Sequence, residues 1–225
     1  MSEEKSFERF ARDVRMHNMI VIKDDNGYRH LRFKRPRTNS YYFDLVTWPG
    51  YLCMTGDMGT WTFSRIDDMF EFFRNDSGRI NPGYWSEKLE AGTGCPRDKI
   101  ALEWDEARFR KVMDECLSDW IEGHKPDDDD EDPEYEEKLE EVKDLVQDMK
   151  RGSYSEHEAY AVYAAADDPH GILIDFWEST FKTYSVHYLW ACYAIVWGIE
   201  RYDLRAFAHK SMSTFLACRL EATHD

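Results

Sequence analysis

The chain has 225 residues and a net charge of −16, with 42% hydrophobic and 15% aromatic residues. That apolar content excludes intrinsic disorder and supplies the core of one large domain or two small ones. No apolar run approaches the ~20 residues of a membrane span, and Met1–Lys5 has no basic-then-apolar leader pattern, so a cytoplasmic location without membrane attachment is expected.

In chain order, Ser6 to His17 reads as a short helix with Phe7, Phe10, Ala11 and Val14 on one face. Met19 to Lys23 and the alternating Tyr28 to Lys34 flank Asn26-Gly27, a dipeptide suited to a tight hairpin because both residues tolerate positive φ. Strands are predicted over Tyr41–Thr47, Tyr51–Thr55 and Thr60–Ser64, completing an antiparallel meander. The apolar period then becomes helical at Ile66 to Phe73, with Ser64 as a cap, and again at Tyr84 to Ala91. Gly92 to Pro96 reads as a loop.

From Asp105 the spacing is cleanest. Phe109, Val112, Met113, Cys116, Leu117, Trp120 and Ile121 form one stripe, and Tyr135, Leu139, Val142, Leu145, Val146 and Met149 form a second. Between them Asp127 to Asp132 is a run of like charges that stays solvated. Ser155 to Ala166 is helical, Asp167 to Gly171 is a turn, and Ile172 to Phe181 is a further apolar segment. Val186 to Tyr202, apolar nearly all round, predicts a central buried helix, and Leu204 to Leu220 a last one. The expected class is α+β: a meander at residues 1–104, an acidic helical hairpin inserted at 105–150, and a helical region at 151–225 that completes one core with 1–104.

Most of the excess charge lies in the hairpin. Asp105 to Lys150 holds 19 acidic against 7 basic residues, a net of −12, whereas the remainder holds 26 against 22. Charge this localised points to a selected partner more than to general solubility. The candidate binding carboxylates are Glu106, Asp114, Glu115, Asp119 and Glu122 on the first helix, Asp127, Asp128, Asp129 and Asp130 in the connector, and Glu136, Glu137, Glu140, Glu141, Asp144 and Asp148 on the second helix.

Two segments, Tyr51 to Arg74 and Tyr188 to Asp203, resemble proteins of tailed phages and prophages that have no assigned activity. The resemblance covers under a fifth of the chain and implies a genomic setting, with host-directed or defence-directed roles, and no catalytic residues.

Motifs for catalysis are weak. The five cysteines are scattered without CxxC spacing, and all except Cys95 sit among apolar neighbours and read as core thiols. The aspartate run has no alternation, glycine or closing glutamate of a calcium loop, and Glu156, His157 and Glu158 are helical neighbours that diverge. Neither a metal nor another cofactor is expected. Asp127 followed by Glu136-Glu137-Lys138 mimics a nuclease pattern only by chance in so acidic a tract. Asp57, with Trp61 and Arg65, is a candidate ligand group at a hairpin tip, although aspartate also favours turns by bonding its own backbone.

Arg29, Arg32, Lys34, Arg35 and Arg37, interleaved with aromatics, form a basic cluster that would pair with the acidic hairpin, within the chain or between copies in a homo-oligomer. The negative total argues against direct nucleic-acid binding. The expected function is therefore that of a phage accessory protein acting on a host protein with a basic surface, its acidic helices mimicking nucleic acid to inhibit a defence or DNA/RNA-binding protein. The alternatives are an enzyme of the metal-dependent hydrolase or nuclease type, with Asp57, Arg65, His157, Asp175 and His187 as its residues, and a virion assembly factor.

Overall fold

The computed structural model describes residues 3–74, 78–90, 100–126, 133–174 and 176–221. It is α+β, an N-terminal five-stranded antiparallel sheet followed by a mostly helical remainder. Helix α1 (Glu3–Val14) leads into strands β1 (Asn18–Asp25), β2 (Tyr28–Lys34), β3 (Phe43–Trp48), β4 (Tyr51–Gly56) and β5 (Gly59–Ser64), ordered in space as in sequence. Asp25 pairs with Tyr28, leaving a two-residue loop with φ of 45° at Asn26 and 86° at Gly27. Both residues at positive φ give the turn whose twist matches the flanking strands.

Alternation along the strands sends Leu31, Phe33, Phe43, Leu45, Leu52, Met54 and Phe63 to one face, all fully buried. The long helix α7 (Val186–Glu221) lies on that face, together with α1 and α2 (Met69–Phe73). Phe33 and Phe43 stack at 4.7 Å, Trp197 meets Phe33 edge-on at 5.5 Å, and Trp190 meets Phe10 at 5.2 Å. Such geometries are the preferred ones for aromatic quadrupoles.

Two short helices differ from the sequence expectation in their starts. Helix α2 begins at Met69 because the Asp68 carboxylate, not the Ser64 hydroxyl, caps it, accepting from Phe70 N at 2.9 Å. Helix α3 (Pro82–Ser86) is capped by Asn81, which accepts from Tyr84 N at 3.2 Å. Proline at the first helical position is tolerated because its missing N–H has no intrahelical partner there. The last two helices expected from sequence are one: α7 runs 36 residues without interruption. Nothing between Ile199 and Leu220 is a glycine or proline, so no residue breaks the ladder.

The chain forms two compact units, residues 1–101 with 184–225, and residues 102–183. The second unit contains α4 (Glu106–His124), α5 (Pro133–Arg151), α6 (Glu156–Ala165) and the strands β6 (Leu102–Trp104) and β7 (Lys182–Tyr184), which form a two-stranded sheet. This differs from the three-part division expected from sequence. Residues 151–183 contribute Ala159, Ile172, Leu173, Phe176 and Phe181 to the same core as Phe109, Met113, Trp120, Val142, Val146 and Met149. Among the described residues, no helix is long and apolar enough to cross a membrane.

Candidate protein-interaction face

Helices α4 and α5 are antiparallel, since Trp120 stacks with Tyr135 near one end and Lys150 bonds Asp114 near the other. Asp105 caps α4 by accepting from Arg108 N at 3.0 Å. The apolar stripes meet as the sequence period requires, with Phe109, Met113, Val142, Val146 and Met149 buried between them. Deletion of any one of these would leave a cavity, so the two helices are held as a unit.

The opposite faces carry the carboxylates. At about 100° per residue, Glu136, Glu137, Glu140, Glu141, Asp144 and Asp148 fall within an arc of about 140° on α5. All six are exposed. Six groups over the thirteen residues from Glu136 to Asp148 is about one per 3 Å of helix axis, close to the ~3.4 Å phosphate spacing of one nucleic-acid strand. On α4, Asp114, Glu115, Asp119 and Glu122 are exposed and Glu106 is half-buried.

Some of these charges are paired locally. Arg110 bonds Glu106 at 2.8 Å, Lys111 bonds Glu115 at 2.9 Å, Lys143 bonds Glu140 at 2.7 Å and Arg151 bonds Asp148 at 3.0 Å. His170 Nε2 lies 2.7 Å from Glu141. Asp119, Glu122, Glu136, Glu137 and Asp144 have no ion pair among the described residues. Exposed pairs are worth little, ~0–1 kcal/mol each, so a partner's cations can displace them at small cost. Asp127, Asp128, Asp129 and Asp130 lie outside the described residues.

A groove of about 730 Å³ runs beside this face, between α5 and α6. Val142, Leu145, Val162 and Ala165 line it, with Glu141, Asp144, Asp148 and Asp167 at its edges. Gly152 sets the helix approach: a Cβ there would meet Val162 Cγ2 at 2.3 Å, so a larger residue would push α6 away. The α6 side of this groove was not singled out from sequence. Its available signal is the set of alanines at Ala161, Ala165 and Ala166, which leave room that larger side chains would fill.

The other candidates are used differently. The Asp57 carboxylate accepts from Tyr41 N at 2.8 Å and its own N–H donates to Tyr42 O at 3.0 Å, which fastens the β4–β5 turn to the β2–β3 connection. Trp61 Nε1 donates to Met58 O at 3.1 Å. Arg65 is exposed at the far end of β5, about 20 Å away along the strand. The three therefore do not converge on one ligand.

His157 and His187 are exposed on separate helices, and Asp175 lies outside the described residues. Among the described residues no three His, Cys, Asp or Glu side chains converge to hold a metal ion. Burial pushes the Cys192 thiol well above its ordinary range, and burial with the charges of Asp119 and Glu115 raises that of Cys116. Both thiols are thus poor nucleophiles.

Three members of the basic cluster, Arg29, Arg32 and Lys34, have partners within the first unit. Arg29 forks onto Asp68 with two bonds of 2.9 Å and lies over the rings of Phe70 and Tyr202. Arg32 grips Asp44 through two bonds of 2.8 Å, His30 meets the same carboxylate at 2.8 Å, and Lys34 donates to Asn39 at 2.9 Å. Phe33, one of its interleaved aromatics, is fully buried and closed to base stacking. Compared with known proteins, the chain matches no family model, no curated protein and no solved structure.

Proposed function

We propose that the chain acts by protein–protein interaction, its α4–α5 acidic face occupying a basic surface of a host protein. The carrying observation is the single-sided array on α5: six exposed carboxylates opposite an apolar stripe anchored by the buried Val142, Val146 and Met149. The array is fixed in position by the packing beneath it, so its spacing is a property of the fold. A surface evolved for regularly spaced phosphates would meet a comparable spacing of negative charge here. The reading extends to a phage or prophage accessory role as a nucleic-acid-mimicking inhibitor of a defence or DNA/RNA-binding protein in the host cytoplasm.

The test is affinity capture from host lysate at low and high salt, repeated with Glu136→Gln, Glu137→Gln, Glu140→Gln and Asp144→Asn combined. The expected result is a partner retained at low salt, released by a short DNA or RNA duplex, and absent with the neutralised protein. Capture of the same proteins by both forms would overturn the reading.

A further inference from the structure

Helix α7 is about 54 Å long, but its core contribution ends at Ile199 and Tyr202. Beyond them Leu204, Phe207, Met212, Phe215 and Leu216 are 51–72% exposed. At about 100° per residue the first four share an arc of about 140°, with Arg205 flanking one side and Lys210 the other. No acidic residue occurs between Leu204 and Leu220. A solitary amphipathic helical segment gains little from propensity alone, and an apolar stripe of this size marks an interaction site.

The α5–α6 groove has the complementary character. Its floor is aliphatic, through Val142, Leu145, Val162 and Ala165, and its rim is acidic. Asp144 and Asp167 on that rim have no ion pair among the described residues. We infer that the distal half of α7 from one copy seats in the α5–α6 groove of a second copy. The Leu204–Phe207–Phe215 stripe covers the floor, and Arg205 and Lys210 meet the rim. Reciprocal exchange between two copies closes as a symmetric dimer. Charge complementarity selects this occupant over a parallel pairing of two basic helices, which would set like charges together. The inference does not rest on the proposed function, but Glu141, Asp144 and Asp148 belong to both surfaces, so the Phe207 and Phe215 substitutions are the ones that separate the two.

Sedimentation of the full chain over a range of concentrations and salts is the test. A mass of twice 26.8 kDa, falling towards the monomer on dilution or in high salt, is expected. Phe207→Ser with Phe215→Ser should weaken association by about tenfold or more, with unchanged circular dichroism because both rings are exposed. The decisive step is a charge swap. Arg205→Glu/Lys210→Glu and Glu141→Lys/Asp144→Lys variants should each be monomeric alone and associate one-to-one when mixed.

A monomer at every concentration, or association indifferent to the groove substitutions, would overturn the inference. So would helix-dependent binding to anionic lipid vesicles by a protein that never self-associates. Partner capture by the Phe207/Phe215 variant keeps the two readings apart, since the outward acidic face is intact in it.

Discussion

The β2–β3 region and the α4–α5 pair are both crowded with charge, but the charges are held in different ways. On the sheet, Asp44 is 5% exposed and receives Arg32 and His30 together, while Arg29 is clamped between the Asp68 carboxylate and two aromatic rings. On the helices most carboxylates face water, and Glu115, Glu140, Asp114 and Asp148 each meet one lysine or arginine, one turn away or across to the neighbouring helix. Bidentate, partly desolvated pairs fix local geometry, and loss of one partner strands the other. Solvated pairs hold little and are free to exchange. Charge on the sheet is thus part of the fold, and charge on the hairpin is available to a partner.

That contrast sets the expected sizes of perturbation. Phe43→Ala, beneath the sheet charges, provides the upper reference and should cost about 3–5 kcal/mol in chemical denaturation. Asp68→Ala removes both the α2 cap and the partner of a largely buried guanidinium, and about 3 kcal/mol is expected. A loss below about 1 kcal/mol would place Arg29–Asp68 in the same class as the helix pairs. At the bottom of the scale, Glu115→Gln and Glu137→Gln should each change stability by under ~0.5 kcal/mol. A larger value for either would erase the distinction drawn between the two regions.

Acid titration sharpens the same comparison. Burial works against ionisation of Asp44, but hydrogen bonds from Arg32 and His30 outweigh it and hold the carboxyl below its ordinary 3.8. At Asp68 burial is likewise outweighed, by Arg29 and the Phe70 N–H. Groups depressed on folding contribute stability above their unfolded pKa and lose it as pH falls through the folded value. Unfolding free energy should therefore decline as pH drops below about 4. Asp44→Asn should flatten that decline, and an unchanged slope would contradict the role given to Arg32 and His30.

Local structure was legible in the sequence wherever one residue dictates a backbone state or one period dictates a face. Asn26-Gly27 announced its hairpin, and Val142, Val146 and Met149 announced the buried side of α5. What could not be read was the destination of each buried side chain. Phe176 and Phe181 are plainly apolar in sequence, but nothing local says that they join Phe109 and not Phe33. The Ser64 cap failed because Ser64 closes β5, whereas Asp68 directly precedes the helix and offers its N-terminus a charged acceptor. Arg29 and Arg32 resembled a binding stripe because their carboxylate partners are far apart in sequence, Asp68 being 39 residues from Arg29 and Asp44 12 from Arg32. On the candidate face, the exposed arc of α5 follows directly from helical spacing. The groove beside it needed the close approach of Gly152 to Val162, which only the tertiary fold supplies.

The split composition of the first unit also has a temporal side. Its sheet is finished by Ser64, but the helix that covers that sheet starts at Val186. At ~5–20 residues per second, a ribosome takes roughly 4 to 17 s to make the chain from Ala101 to Val186. Residues 102–183 are then complete and can assemble, while Leu31, Phe33, Phe43 and Leu45 still lack the cover of α7. A chain stopped after Thr183 is accordingly expected to give protease-resistant fragments from the inserted unit alone. In the growing chain, the part made first would be the last to become stable.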